Sequence, residues 1–202
     1  MPIKIAAILT CFRHRSHANV ILENFLEPYL FCGRRVDPRK EFRVVSMYVD
    51  QFPKVDMARG VARDYGIKIQ PTIAKALCQG GKRLAVDGVV VIAEHGEYPT
   101  NAKGQKLYPR SEFFSQIVDV FRASGRSVPV FNDKHLSYSF AKAQQMVDTA
   151  HDLGFPLMSG SSLPVTFRMP PIELDGHVDE ALMIGVGGSD AMDYHALEAM
   201  QS

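Results

Sequence analysis

The chain has 202 residues and a formal net charge of +1, a length typical of one large domain or of one domain with part of a second. Hydrophobic residues make up 46% of it and charged residues 22%, as in ordinary globular proteins. The near-neutral charge gives no electrostatic reason to expect nucleic acid as a partner. No apolar run approaches the roughly 20 residues that span a bilayer, so we expect no membrane partner either.

Strand-like and helix-like segments alternate along most of the chain. The predicted strands are Ile3–Leu9, Phe42–Val49, Ile67–Ile69, Val86–Ala93, Ser127–Phe131 and Phe155–Ser159. The predicted helices cover about 16–29, 56–65, 71–78, 111–124 and 139–153, and the polar segment 32–41 is expected to be an exposed connection. Strands interleaved with helices in this way indicate an α/β fold with a doubly wound parallel sheet.

The pattern changes after Pro170-Pro171. Residues 178–186 alternate like a strand, and residues 191–200 have the pattern of a helix. About 30 residues are too few for an independent domain. We therefore expect residues 171–202 to begin a second, α+β domain that the chain does not complete, and an exposed incomplete domain favours association into a homo-oligomer.

The three cysteines, Cys11, Cys32 and Cys78, are odd in number and lack the spacing of metal ligands. Reduced thiols in a cytoplasmic protein are the simplest interpretation, because disulfides persist mainly in oxidising compartments. The prediction is a cytoplasmic chain with no structural metal.

Chemically capable residues follow four of the predicted strands. They occupy Thr10–His17, Asp50, Glu94–Tyr98 and Asn132–His135. The carboxyl ends of parallel strands meet at one edge of a sheet, and ligands of open α/β sheets bind at that edge. The sequence therefore predicts where the site lies.

Three motifs carry a resemblance to a known family. Residues 130–136, Val-Phe-Asn-Asp-Lys-His-Leu, resemble a V-x-C-E-K-P-L segment, and the pairs Tyr65-Gly66-Ile67 and Pro71-Thr72 resemble its YGI…PT pattern. Residues 155–162 resemble the strand and turn that follow. Together they are similar to the glucose-fructose oxidoreductase/inositol dehydrogenase (Gfo/Idh/MocA) family over roughly residues 3–170. The resemblance implies a Rossmann-like nucleotide-binding-type domain at 1–170.

The resemblance also implies an activity, the oxidation of a sugar- or polyol-type hydroxyl with a nicotinamide cofactor. Lys134 falls on the lysine that acts in hydride and proton transfer, and Asp133 falls on the acid beside it. His195, with Glu198 one turn later, resembles the family's H-x-x-D, whose histidine reaches the substrate. His135 replaces a proline of the family and, with His95, is expected to contact the substrate.

The glycines of the dinucleotide fingerprint are missing. Leu9, Cys11 and His14 stand at their positions, although the G-x-G-x-x-G turn needs glycine so that the backbone can approach the pyrophosphate. Two interpretations stay open. Either the side chain of Arg13 or Arg15 and the following helix N-terminus hold the pyrophosphate, or the loop no longer binds a dinucleotide.

Asp50 ends the second predicted strand, where an acid accepts hydrogen bonds from the adenosine ribose hydroxyls. Such an acid favours NAD over NADP, because it repels a 2′-phosphate. The remaining predicted cofactor contacts are Thr10, Arg13, His14 and Glu94.

Two rival functions belong to other classes. One is a non-enzymatic binding module that has lost dinucleotide binding. The other is a cofactor-free or metal-assisted sugar lyase or isomerase that works through Glu94, His95, Asp133 and Lys134, in which a metal would be held by oxygen and nitrogen ligands of Glu94, His95 and His135.

Overall fold

The computed structural model describes residues 1–166, 169 and 176–201. Its strands are β1 (Ile3–Leu9), β2 (Tyr29–Phe31), β3 (Arg34–Val36), β4 (Phe42–Val49), β5 (Lys68–Gln70), β6 (Gly88–Ile92), β7 (Val130–Asp133) and β8 (Leu157–Gly160). Its helices are α1 (His17–Leu26), α2 (Ala58–Tyr65), α3 (Ile73–Leu77), α4 (Arg110–Ser124), α5 (Phe140–Asp152) and α6 (Ser189–Gln201). None of the helices in the described ranges is long and apolar enough to cross a membrane.

Six strands form one sheet in the order β5-β4-β1-β6-β7-β8. All of its strand pairs are parallel, so the predicted doubly wound α/β fold is confirmed. The chain builds outward from β1 through β4 to β5, then returns to the other side of β1 for β6, β7 and β8. The direction of building reverses between β1 and β6, which is the switch point where such sheets bind ligands.

Helices cover both faces of the sheet. On one face, α3, α4 and α5 contribute Leu77, Phe121 and Met146 to a core that includes the central strands. On the other, α1 and α2 contribute Leu22 and Ala62 to a second core. Every residue of β6 is buried, as expected for a strand covered on both faces. The two cores hold the carboxyl ends of β1, β4, β6 and β7 in fixed positions.

One connection and one strand differ from their predicted form. The exposed connection 32–41 contains part of an antiparallel hairpin of β2 and β3, closed by Cys32 and Gly33, whose φ angles are 48° and 73°. Two consecutive residues with positive φ form the tight turn of a hairpin. Strand β7 also runs two residues further than predicted, because Asn132 and Asp133 pair with Ser159 and Gly160 of β8. These polar residues therefore belong to the sheet.

The predicted strand at 178–186 is wrong, since the described residues 176–188 contain no strand. Alternation indicates a strand only where a neighbouring strand takes up its backbone hydrogen bonds. The predicted helix at 191–200 is confirmed as α6. Pro170-Pro171 lies outside the described residues, so a domain boundary there stays a prediction.

Candidate functional site

A buried ion cluster lies where β6 and β7 end. Glu94 follows β6 and is only 7% exposed. Its Oε1 lies 3.1 Å from Nζ of Lys134, and its Oε2 accepts a hydrogen bond from Nη2 of Arg110, the first residue of α4. Lys134 and Arg110 are 3% and 1% exposed. Two buried cations thus share one buried carboxylate.

The charge of Glu94 is set by these partners. Burial alone would raise its pKa, but the charges of Arg110 and Lys134 outweigh the burial and hold the pKa of Glu94 below its usual value. The carboxylate therefore stays ionised at neutral pH and keeps a negative charge beside the lysine.

Lys134 has an uncommon backbone conformation for a lysine. Its φ is 61°, in the left-handed region that costs a non-glycine residue about 1–3 kcal/mol. Two backbone hydrogen bonds with Gly160, at 3.0 and 3.1 Å, hold it there. Because strained residues cluster at functional sites, this conformation supports a functional role for the side chain that it directs towards Glu94.

A histidine and an acid form a second pair beside the cluster. Nδ1 of His17, the first residue of α1, lies 2.7 Å from Oδ2 of Asp133, the last residue of β7. The Asp133 side chain is 3% exposed and the His17 side chain 28%. An ionised carboxylate only accepts hydrogen bonds, so the imidazole donates from Nδ1 and its Nε2 is the proton acceptor. Acid-oriented histidines of this kind serve in general acid–base catalysis.

His95 lies between the His17–Asp133 pair and the loop that follows β1. Its ring packs edge-on against that of His17, with 5.3 Å between the centroids, and its Nδ1 is 3.4 Å from Nη2 of Arg13. Burial lowers the pKa of His95. Its buried Nε2 has no hydrogen-bond partner among the described residues. Thr10, the residue after β1, is fully buried, and its hydroxyl donates to the Glu94 carbonyl oxygen at 2.7 Å. This bond fixes the start of the loop that follows β6.

A cavity of about 150 Å³ opens beside the ion cluster. Its volume suits a small polar molecule. Its lining places the carboxylate and the ammonium of the cluster next to an imidazole, a second lysine and a phenol. The residues that line it are Glu94, Gly104, Lys106, Tyr108, Lys134, His135 and Gly188.

Asp50, at the end of β4, is already hydrogen-bonded. Tyr48 donates to Oδ1 at 2.7 Å and Tyr98 donates to Oδ2 at 2.6 Å. Burial, reinforced by the bond to Asp50, raises the pKa of Tyr48 to about 12 and raises that of Tyr98 as well. Next to this group, the Gln51 amide donates to the Glu97 carbonyl oxygen at 3.0 Å and accepts from the Glu97 N–H at 2.9 Å.

The loop in place of the glycine turn is closed by its own side chains. Ser16 caps α1, and its Oγ accepts from the N–H of Arg13 and of Asn19. The N–H of Arg15 donates to Oδ1 of Asn19. The side chains of Arg13 and His14 are exposed at this end of the helix, so a phosphate would be held here by side chains.

The residues of this edge therefore fit a dinucleotide in two places. Asp50 accepts two hydroxyl groups, the chemistry that a ribose presents, and Arg13 is an exposed cation at the start of α1. The turn at 95–98 lies between them, where its residues contact Asp50, Gln51 and Arg13.

Helix α6 packs against the same edge. Glu198 accepts hydrogen bonds from the N–H and the Oγ of Ser161, at 2.9 and 2.5 Å. Tyr194 packs edge-on against His135, with centroids 5.5 Å apart. His195 is bound to Glu198 at 3.4 Å, and within the described residues no hydrogen bond or ion pair joins it to Lys134. Tyr194 of α6 thus contacts His135, one of the predicted substrate residues, while the role of His195 stays a prediction.

The structure brings together most of the residues predicted from sequence and shows the contacts of three residues to which the sequence assigned no role. His17 and Arg110 complete the two charged groups around Asp133 and Glu94, and Tyr98 contacts Asp50. His17 was visible as the last residue of the first strand-end loop, but nothing in the sequence indicated its partner. No group of three or more metal-ligating side chains occurs in the part of the chain that is described, so the metal-assisted alternative gains no support.

Comparisons with known proteins agree on the fold. The chain resembles GenD2 from gentamicin A biosynthesis, solved in complex with NAD, with a TM-score of 0.50 and 19% identity over 79% of this chain and 34% of GenD2. The dehydrogenase MviM from Clostridium difficile gives 0.50 and 16%, over 79% of this chain and 39% of MviM. A super-repressor mutant of Gal80p from Saccharomyces cerevisiae gives 0.54 and 12%, over 81% and 35%.

These neighbours are of the Gfo/Idh/MocA type, and the fold of this chain is that of their N-terminal Rossmann domain. The resemblance drawn from the sequence motifs is thereby confirmed at the level of the fold. This chain spans only 34% to 39% of their lengths. No protein-family model matches the sequence, and no curated protein matches it either.

Proposed function

We propose that this chain is the nucleotide-binding-type part of a divergent NAD(P)-dependent oxidoreductase that acts on a hydroxyl of a sugar- or polyol-type molecule. The observation that carries the proposal is the buried Lys134, whose Nζ lies 3.1 Å from Oε1 of Glu94 beside a cavity of about 150 Å³. Lys134 directly follows β7, the neighbour of β6 in the sheet, and so lies at the carboxyl edge where such sheets bind ligands.

Oxidation of a hydroxyl releases a proton that a group of the protein has to accept. A nicotinamide supplies the hydride acceptor when it is bound. In the proposal the hydroxyl contacts the Nζ ammonium of Lys134, which passes one of its protons to the imidazole of His17 and takes up the hydroxyl proton in its place. Glu94 stabilises the ammonium throughout, since opposite charges in a poorly hydrated site interact more strongly than in water.

His17 and Asp133 provide an exit for that proton. The imidazole is partly exposed whereas Asp133 is buried, so the pair joins the interior of the site to solvent. The carboxylate fixes the imidazole so that Nε2 accepts, and it stabilises the imidazolium that results. The proposed route thus runs from Lys134 through the site to His17 and out to water.

For the cofactor, the proposal favours NAD over NADP. Asp50 carries a negative charge at the end of β4, where a 2′-phosphate would lie. The exposed guanidinium of Arg13 is the group proposed to contact the pyrophosphate, because arginine binds phosphate oxygens through two parallel hydrogen bonds.

The test is a screen of the chain with NAD⁺ and a panel of polyols and sugars. Turnover is measured as the increase in absorbance of the reduced nicotinamide. Lys134→Met should lower the turnover by roughly 10²–10⁴-fold, the usual range for a proton-transfer group, while NADH binding persists. The matched control is Lys142→Met, which removes a lysine from an exposed pair with Glu112 and should leave the turnover unchanged. Full activity of the Lys134→Met protein would contradict the proposal.

One observation favours a second candidate, a cofactor-free sugar isomerase or lyase. The turn 95–98 fills the space beside Asp50, whereas the Lys134 and His17 groups need no cofactor to move protons. Exchange of a carbon-bound hydrogen of a sugar with deuterated water, in the absence of any nicotinamide, would support this candidate. A non-enzymatic binding module is the further alternative, because Gal80p is a repressor of the same fold. This alternative predicts neither turnover nor hydrogen exchange of a sugar.

A further inference from the structure

The turn after β6 crosses the end of a neighbouring strand. In the sheet β1 lies between β6 and β4. Glu97 and Tyr98, which follow β6, are bonded to Gln51 and Asp50, which follow β4. Residues 95–98, which we call the strap, therefore pass over the carboxyl end of β1, at the switch point of the sheet.

Several contacts hold the strap in this position. The Gln51 side chain makes two hydrogen bonds with the backbone of Glu97, and Nδ1 of His95 contacts Arg13. Gly96 has a φ of 104°, and a Cβ atom there would lie 2.8 Å from Cε2 of Tyr98 and 3.0 Å from Oε1 of Gln51. Only glycine fits at position 96 without displacing these side chains. The strap and the loop after β4 are therefore closely complementary.

The strap also occupies one oxygen of Asp50, the acid at the end of β4. Both carboxylate oxygens of Asp50 accept tyrosine hydroxyls, one from Tyr48 in β4 itself and one from Tyr98 in the strap. An acid at this position of the fold accepts ribose hydroxyls. The Tyr98 hydroxyl thus holds an oxygen of Asp50 that a ribose hydroxyl would use.

We propose that the strap is an autoinhibitory element that closes the dinucleotide groove from within, and that Tyr98 has to leave Asp50 before a dinucleotide can bind along the strand ends. The inference rests on the proposed function. A cleft of about 660 Å³ beside the strap gives the ligand an entry on the β4 side, and its lining includes Arg13, Gln51, Gly96 and Glu97.

Release of the strap would reach both ends of the site. Arg13 loses its contact with His95 and becomes available to a phosphate, and Asp50 regains an oxygen. The strap begins directly after Glu94, the carboxylate of the buried cluster. Cofactor entry is thereby coupled to the group that contacts Lys134.

The test is a fluorescence titration with NADH of the wild-type, Tyr98→Phe and Gln51→Ala proteins. Phenylalanine keeps the ring that packs against Tyr108 and removes only the competing hydroxyl. Tyr98→Phe should tighten NADH binding about tenfold, because the lost bond is made to a charged acceptor. Gln51→Ala should act in the same direction. The matched control is Tyr65→Phe, which removes a tyrosine–carboxylate bond to Glu27 outside the groove and should leave the affinity unchanged.

Hydrogen exchange of the peptide that contains 94–98 is measured in parallel. Saturating NADH should increase its exchange, since the Glu97 N–H leaves Gln51 when the strap opens. Binding to Tyr98→Phe but not to the wild type would also support the proposal. Equal NADH affinities of the wild-type and variant proteins, with unchanged exchange of the peptide, would overturn the autoinhibitory role of the strap. The proposed oxidoreductase function would still stand. If the wild-type and both variant proteins fold but bind no NADH, the proposed function is overturned and the strap with it.

Discussion

Glu94 and Lys134 form an ion pair of 3.1 Å in the interior, and Arg110 approaches the same carboxylate from the other side. A single negative charge therefore balances two buried cations. This relationship organises the site, because Glu94 connects the strand end that carries Lys134 with the first turn of α4. Removing the charge of Glu94 should therefore change the free energy of unfolding by a different amount from removing the charge of Lys134.

Glu94→Gln should lower the free energy of unfolding by about 3–5 kcal/mol, because it leaves two buried cations without a counter-charge. Lys134→Met should cost less, since the bond between Glu94 and Arg110 remains. Urea denaturation measures both. Glu112→Gln, which breaks the exposed pair with Lys142, is the control and should cost less than about 1 kcal/mol. A smaller loss for Glu94→Gln than for Lys134→Met would contradict this description of the cluster.

The same carboxylate predicts a dependence of stability on pH. The pKa of Glu94 is lower in the folded chain than the ordinary glutamate value of 4.5. Its contribution is therefore present above about pH 4.5 and is lost as the pH falls through the folded-state pKa. Urea midpoints measured downward from about pH 6 should fall less steeply for Glu94→Gln than for the wild type. Identical slopes would exclude Glu94 as a source of acid sensitivity.

The pairing of His17 with Asp133 predicts one tautomer of the imidazole. Neutral His17 should carry its proton on Nδ1, because the Asp133 carboxylate accepts at 2.7 Å. Nitrogen NMR of the ring distinguishes the two tautomers. His14, which is exposed before α1, is the internal control and should show both tautomers. A His17 ring with a bare Nδ1 would contradict the proposed proton route.

Glu198 predicts how α6 is held at the site. Its carboxylate accepts from both the N–H and the Oγ of Ser161. Glu198→Ala should therefore increase hydrogen exchange at the Ser161 amide and at the backbone amides of α6. Asp193→Ala, at an exposed position of the same helix, should change neither. Unchanged exchange in the Glu198→Ala protein would mean that other contacts dock the helix.

Local patterns were sufficient to predict much of the fold. β1 and β4 have the predicted bounds because their apolar, β-branched residues leave little choice of structure. Gly66 ends α2 with a φ of 66°, as its position after the helical pattern predicted. The hairpin at 29–36 was missed, because its turn includes Cys32, a residue type that rarely indicates a positive φ.

Less of the site could be predicted, because its contacts join distant parts of the chain. His17 and Asp133 are 116 residues apart, and Tyr98 and Asp50 are 48 apart. The prediction of a parallel sheet was enough to place these residues at one edge. Which of them touch depends on side-chain directions that no periodicity determines, so the strap was not foreseen from the sequence even though Asp50 was.

The most direct measurement is an NADH titration of the Tyr98→Phe protein, in which the strap no longer competes for Asp50, with and without Asp50→Ala and Arg13→Ala. We predict saturable binding that either further substitution weakens by roughly tenfold or more, since each removes a charged hydrogen-bonding group. Binding that is indifferent to both substitutions, or no binding by a folded protein, would contradict the claim that this edge of the sheet is a dinucleotide site.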